Sequence, residues 1–285
     1  MSDEASSTEA SPAEGAPPSE VAPPSEGAPP SEVAADVVPA TTAEEAPEPD
    51  REVHAGPVLA TFAHPDDAEI AAGGTIARWC AEGRQVHLLV LTNGDRGSQD
   101  QGRDRAELAA IRLVETEDAA AVLGLAGFQV LDIHDGELDN TPQLRARIAL
   151  LIRRIRPVIV ITCDPTAWFF GNRYYNHSDH RAAGAVTLDA VFPGAGNPHF
   201  FPDQLGELET WDVPEVWMAW TLEPNHHQDV TGYLERKLAA LREHRSQVEG
   251  GMLGFFEEWL PREAKEAGRK IGVEHAESFR VLNLD

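Results

Sequence analysis

The apolar run Val58-Leu59-Ala60-Thr61-Phe62-Ala63 stops abruptly at His64-Pro65-Asp66-Asp67, and that break limits what the chain can build there. The run is too short for a helix, and Pro65 suits a first helical position, where its fixed φ is already helical and its missing N–H is not needed. A buried strand therefore feeds a helix through a tight turn. In an open α/β sheet, ligands bind beyond the carboxyl ends of the strands, so an imidazole and two carboxylates at such an end are placed for chemistry. His64 and Asp67 are three apart and can face one point on a first helical turn, while Asp66 is directed elsewhere. The competing reading is that Asp66 and Asp67 only cap the helix, whose positive end stabilises a carboxylate by about 0.3–1 kcal/mol.

The same alternation recurs down the chain. Ile70, Gly74, Ala77 and Ala81 repeat at helical spacing up to Gly83, and Val86 to Leu91 is a second buried strand, ending in Thr92-Asn93-Gly94-Asp95-Arg96-Gly97-Ser98. Asp95 and Arg96 in that loop are candidate substrate contacts, against a solvated turn with a local ion pair. A helix is predicted over 104–123, a strand over 128–133 with His134-Asp135-Gly136-Glu137 as a turn at its end, a helix from Leu144 to Ile155, and a strand over Val158-Ile159-Val160-Ile161. The predicted fold class is α/β: a Rossmann-like parallel sheet covered by helices on both faces. Gly73 and Gly74 each cost about 1 kcal/mol in a helix relative to Ala, which predicts a close backbone approach as compensation.

Residues 1–50 are a different kind of polymer. They hold twelve Asp or Glu, no Lys or Arg, and the repeated hexads Ala16-Pro17-Pro18-Ser19-Glu20-Val21, Ala22-Pro23-Pro24-Ser25-Glu26-Gly27 and Ala28-Pro29-Pro30-Ser31-Glu32-Val33. Such a segment cannot bury enough apolar surface to offset its chain entropy, so an acidic, Pro-rich, disordered N-terminal tail over 1–50 and one domain over 51–285 are expected. Outside the tail, 36 Asp and Glu face 23 Lys and Arg, which argues against a nucleic-acid partner. The acidic start Met1-Ser2-Asp3-Glu4 lacks an apolar core, and no run approaches the roughly 20 apolar residues of a membrane span, so a cytoplasmic protein with no membrane partner is expected. Cys80 and Cys163 read as reduced thiols. The sequence is compatible with a homo-oligomer without indicating one.

A second cluster follows the strand over 158–161. After Thr162-Cys163-Asp164-Pro165 comes an aromatic loop, Trp168-Phe169-Phe170-Gly171-Asn172-Arg173-Tyr174-Tyr175-Asn176, and then His177-Ser178-Asp179-His180 at the start of a helical pattern. His177 and His180 can project to one side. Two histidines and an Asp in four residues, at the end of a strand that should neighbour the first, favour a metal site over isolated structural histidines. Phe192 to Pro214 is rich in Pro, Gly and aromatics, an excursion suited to a pocket wall. His226, His227 and Asp229 form a rival cluster that lacks a comparable buried run before it.

A catalytic zinc takes three ligands from His and Asp or Glu and leaves a position for water, whose pKa it lowers towards 7. A carboxylate beside it can take the proton while an imidazole serves the opposite side, a combination suited to amide hydrolysis. Spacing alone leaves ligand against base open between Asp66 and Asp67, and between His177 and His180.

These motifs resemble the PIG-L or LmbE-like zinc-dependent deacetylases, a family that includes N-acetylglucosaminyl deacetylases and enzymes of mycothiol and bacillithiol pathways. The resemblance runs from Ala63-His64-Pro65-Asp66-Asp67 through Thr92-Asn93-Gly94-Asp95 and Asp135-Gly136-Glu137-Leu138 to His177-Ser178-Asp179-His180-Arg181-Ala182, then Asp229 and Lys237 to Gln247. The family's first motif usually continues with Glu directly after the second Asp, whereas Ala68 precedes Glu69 here, and its second motif usually has Pro where this chain has Ser178. Neither departure removes a ligand. The resemblance implies one Zn2+ per chain held by His64, Asp67 and His180, with Asp66 as general base. It further implies His177 as the imidazole that stabilises the oxyanion or protonates the amine, Asp179 as a supporting residue behind the ligands, and Tyr175 as a candidate oxyanion donor. The expected activity is removal of an acetyl group from an N-acetyl amino sugar or sugar conjugate. The alternatives are an amidase acting on a sugar-thiol conjugate and a zinc- and sugar-binding module without turnover.

Deleting residues 1–50 is expected to leave the melting temperature and turnover nearly unchanged, because a charged, Pro-rich segment has no core face to lose. Thermal denaturation of the truncated chain checks this, and a large fall contradicts it.

Overall fold

The computed structural model describes residues 55–248 and 251–284; the tail expected over 1–50 lies outside the described residues. Apolar runs and their caps set the order of elements. Strand β1 (Val58–Phe62) leads through the His64-Pro65 turn into helix α1 (Asp67–Ala81), followed by β2 (Val86–Val90), α2 (Arg105–Leu123), β3 (Gly127–Val130), α3 (Pro142–Ile155) and β4 (Ile159–Cys163). Side chains start two of these helices: Asp104 accepts from the Glu107 N–H, and Thr141 accepts from the Leu144 N–H with Pro142 at the first position. A short hairpin of β5 (Phe169–Phe170) and β6 (Tyr174–Tyr175) comes next, then α4 (Ser178–Asp189), β7 (Glu215–Ala219), β8 (His226–Asp229), α5 (Leu234–Glu243), α6 (Arg245–Val248), α7 (Met252–Ile271) and β9 (Ala276–Asn283).

The main sheet has the order β3-β2-β1-β4-β7-β9-β8. Its first five strands run parallel, β1 pairing with β2 on one side and β4 on the other. Successive β1 residues point to opposite faces, so Val58, Ala60 and Phe62 join a core with α1, α2 and α5, while Leu59 and Ala63 join a second core with α3 and α4. Burial of each large apolar side chain in these layers contributes about 1.5–3 kcal/mol.

The expectation of a parallel sheet needs one correction. β9 runs antiparallel to β7, and β8 antiparallel to β9, which makes one edge mixed. β8 is His226-His227-Gln228-Asp229, a polar segment without the apolar run that marks the other strands. No helix among the described residues is long and apolar enough to cross a membrane.

Two buried cations fasten elements that are distant in sequence. The guanidinium of Arg153, 1% exposed on α3, donates to the carbonyls of Gly194, Ala195, Asn197, Phe200 and Phe201 at 2.9–3.2 Å and pins the excursion after α4 against the second core. Lys237 on α5 is the other. Its ammonium meets Glu277 Oε1 at 2.5 Å, and the Glu277 carboxylate also accepts from the Gly74 and Thr75 N–H groups at 2.9 and 2.8 Å. A Cβ at Gly73 would fall 2.9 Å from Lys237 Cγ, and one at Gly74 would fall 3.0 Å from Val230 Cβ, so the two glycines are the price of pressing α1 against α5 and β9.

Replacing Glu277 by Ala would strand a buried ammonium and is expected to cost about 3–5 kcal/mol, a fall in melting temperature of roughly 10 °C or more. The double variant Lys237→Met, Glu277→Leu is expected to recover most of it. Calorimetry of the three proteins checks this, and equal melting temperatures for wild type and Glu277→Ala would refute the clamp.

Candidate active site

Strand order reverses at β1 and β4, because β2 and β3 lie on one side of β1 while β4 lies on the other. The first His/Asp motif leaves the carboxyl end of β1, and the second opens α4 after the β5–β6 hairpin that follows β4, so both border the switch point at which open α/β sheets bind ligands. The turn after β1 is held by two bonds within it: the Asp67 N–H donates to the His64 carbonyl at 3.2 Å, and the His64 N–H donates to Asp67 Oδ2 at 2.8 Å. Asp66 between them has φ 106°, left-handed and costly for a residue with a Cβ, and its side chain makes no cap hydrogen bond. This backbone turn points Asp66 and Asp67 apart.

His64, Asp67 and His180 offer ligand atoms that all lie within 4.8 Å of one another. Asp67 Oδ2 is 3.4 Å from His64 Nδ1, and Asp67 Oδ1 is 3.2 Å from His180 Nε2. A tetrahedral ion with bonds of about 2.0–2.2 Å keeps neighbouring ligand atoms about 3.3–3.6 Å apart, so two imidazoles and a carboxylate at this spacing fit one divalent cation. All three residues are buried.

The nitrogens facing away from that point are committed to other partners. His180 Nδ1 lies 3.0 Å from Asn176 Oδ1, while Asn176 Nδ2 donates to the Ala167 carbonyl at 2.7 Å. The amide is thereby oriented with its oxygen towards the ring, so His180 Nδ1–H donates and Nε2 keeps its lone pair. His64 Nε2 is 3.3 Å from Asp179 Oδ2 and 3.2 Å from Asp135 Oδ1, and the Gly136 N–H donates to the same Asp179 oxygen at 2.7 Å. Asp135, His177 and Asp179 form a second group with His64, arranged as support for the first. Asp135 is the member that spacing did not single out. It sits in the turn after β3, and its signal was position alone, a carboxylate just past a strand's carboxyl end.

Charge is concentrated here. Burial works against ionisation of Asp67, yet His180 and His64 outweigh it and hold its carboxyl well below the usual range. Burial would lower the His64 pKa, but Asp67, Asp135 and Asp179 together raise it well above the ordinary imidazole value. Burial raises the Asp66 carboxyl, with Arg112 opposing. Three carboxylates around one imidazole favour a cation. His177 caps α4, its Nδ1 accepting from the Asp179 N–H at 3.2 Å, which leaves the proton of the neutral ring on Nε2. Burial and the nearby His64 hold it below its ordinary pKa.

Other expected site residues lie at the edge. Asp95 is buried, and its oxygens accept from Arg105 Nε at 2.8 Å, His134 Nδ1 at 2.9 Å and the Asp135 N–H at 3.1 Å, which leaves it tying two loops together. Arg96 donates to the Asp135 carbonyl at 2.6 Å and pairs with Glu137. Both hold the Asp135 turn in place. Tyr175 lies on the exposed β5–β6 hairpin, its hydroxyl 3.0 Å from Arg181 Nη2, with Trp168 and Phe169 beside it. Its neighbour Tyr174 faces the other way across the pleat, against Phe170, and burial and then the Asp67 charge raise its pKa. The rival cluster is dispersed: His226 packs on Trp217, His227 Nδ1 meets Ser278 Oγ at 2.9 Å, and Asp229 lies by Arg78. No metal-capable group among the described residues includes them.

The family described as PIG-L: GlcNAc-PI de-N-acetylase matches residues 59–191. The diacetylchitobiose deacetylase of Thermococcus kodakarensis is 36% identical over 226 residues, covering 79% of this chain and 82% of its own. A 1D-myo-inositol 2-acetamido-2-deoxy-alpha-D-glucopyranoside deacetylase of Rhodococcus erythropolis is 30% identical over 243 residues, covering 67% of this chain and 81% of its own. The structure of N,N'-diacetylchitobiose deacetylase from Pyrococcus horikoshii, complexed with its inhibitor MPG, superposes with a TM-score of 0.74 at 32% identity over 80% of this chain and 84% of that one. With strand order, converging His/Asp motifs and these likenesses in agreement, the chain belongs to the PIG-L family of deacetylases.

Proposed function

We propose that this chain is a zinc-dependent N-deacetylase that releases acetate from an N-acetyl amino sugar or sugar conjugate, with one zinc held by His64, Asp67 and His180. The convergence of those three buried side chains, with Asp66 next to Asp67 in the chain and the His177 ring 4.7 Å from that of His64, carries the reading. Both curated relatives are named as deacetylases of acetylated amino sugars, which supports the substrate class.

Zinc there would supply Lewis acidity, polarising the acetamido carbonyl and lowering the pKa of the attacking water. Asp66, adjacent to ligand Asp67 but turned from it by its left-handed backbone, takes the proton as the water oxygen bonds to the carbonyl carbon. His177 carries its proton on Nε2, 3.8 Å from Asp135 Oδ1, and donates it to the developing oxyanion or to the departing nitrogen. The C–N bond breaks, the nitrogen leaves protonated as an amine, and acetate remains. Asp179 and Asn176 hold His64 and His180 in the ring orientations this needs. The exposed aromatics at and beside the β5–β6 hairpin, Trp168, Phe169, Tyr174 and Tyr175, form a wall against which a sugar ring can pack.

Incubation with a panel of N-acetylated amino sugars and cysteine conjugates, scored for new primary amine, is expected to show turnover on the sugars. Release from the conjugates alone would favour an amidase, and no release from any member would leave a binding module. Elemental analysis is expected to find one zinc per chain, lost in His64→Ala, His180→Ala and Asp67→Ala. Asp66→Ala is expected to keep the metal and substrate affinity while turnover falls by roughly 10²–10⁴-fold. Metal loss in Asp66→Ala with retention in Asp67→Ala would reverse the two carboxylates.

A further inference from the structure

Arg112 on α2 is 2% exposed and has no part in the chemistry above. Its guanidinium nevertheless reaches the back of the site. Nη1 donates to the Gly94 carbonyl at 3.0 Å, Nη2 donates to the Pro65 carbonyl, and Nη2 lies 3.5 Å from Asp66 Oδ1. One planar cation thus bridges the loops after β1 and β2, grips the peptide oxygen immediately before Asp66, and faces the Asp66 carboxylate. That residue is the one whose backbone is left-handed and whose side chain makes no cap bond, so its conformation needs restraint from outside the turn.

The surroundings are shaped to the guanidinium. A Cβ at Gly94 would fall 2.4 Å from Arg112 Nη1, and one at Gly97 would fall 2.5 Å from the same atom. One turn along α2, Glu115 accepts from the Ser246 N–H and hydroxyl at 2.7 and 2.6 Å, which fastens the helix to α6. Gln247 Oε1 would lie 2.8 Å from a Gly97 Cβ, and fully buried His244 stands 3.4 Å from Glu69 Oε2. The segment His244-Arg245-Ser246-Gln247, distant in sequence, closes the wall behind Arg112.

We propose that Arg112 is a positioning residue for the hydrolysis: it holds the Asp66 turn and carboxylate in the orientation from which the proton is taken. The inference rests on the reading of Asp66 as base. A lysine cannot reproduce it, because a single ammonium cannot span two carbonyls and a carboxylate in one plane.

The experiment is a kinetic cycle on the zinc-loaded full-length chain with an N-acetyl amino sugar, using Arg112→Met, Asp66→Ala and the double variant. Arg112→Met is expected to retain zinc and KM within about twofold and to lose roughly 10²-fold in kcat, the scale of a displaced catalytic group. On top of Asp66→Ala it is expected to cost nothing further, since Arg112 acts through Asp66. Added guanidinium ion is expected to restore part of the kcat of Arg112→Met and none of Asp66→Ala. Should Arg112→Met fail to fold, Gly97→Ala, which intrudes on Nη1 while keeping the charge, is expected to lower kcat with zinc retained and to add nothing to Asp66→Ala. Unchanged kcat in a folded variant, loss of zinc along with activity, or full additivity with Asp66→Ala overturns the proposal. An inactive wild type would instead refute the deacetylase reading, and an unimpaired Asp66→Ala the assignment of the base.

Discussion

The imidazole of His64 is where the site is joined together. Nδ1 faces Asp67 at 3.4 Å, and Nε2 faces Asp135 and Asp179 at 3.2 and 3.3 Å, so a single ring touches carboxylates from the start of α1, the turn after β3 and the start of α4. That is reachable only because β1 is central in the parallel array and pairs directly with β4. Placed at an edge strand, the same motif could not meet partners from both sides.

Burial gives these contacts their force and also their cost. Asp67, Asp179 and His180 lie largely out of water, where an unpaired charge is expensive and a paired one interacts strongly. Both Asp67 oxygens accordingly lie near imidazole nitrogens, and Asp179 Oδ2 lies near His64 and the Gly136 N–H, while Asp179 Oδ1 is buried without a hydrogen-bond partner. A surplus of carboxylates over imidazoles leaves a local negative field that a divalent cation would neutralise.

The same economy of buried charge recurs away from the site. Arg153 with the loop carbonyls and Arg112 with two loops fasten irregular segments to helices, and Lys237 with Glu277 fastens α5 to β9 and α1. Such groups are weak sources of net stability and strong sources of specificity, because mispairing would strand a charge in the core.

By itself the sequence determined the alternation of buried strands and helices, the position of both His/Asp motifs at strand ends, and the glycines at 73 and 74 as a site of close approach. Apolar periodicity and caps are local, and a few residues express them. Tertiary structure decided the rest: that Asp66, directed away from Asp67, lies beside Arg112 of α2, that the Asp135 carboxylate meets His64, and that Tyr174 and Tyr175 part across a pleat. It also decided that the polar segment at 226–229 pairs as an edge strand. Each of these depends on which distant strand or helix lies alongside, and the order of strands in a sheet leaves no trace in the spacing of neighbouring residues.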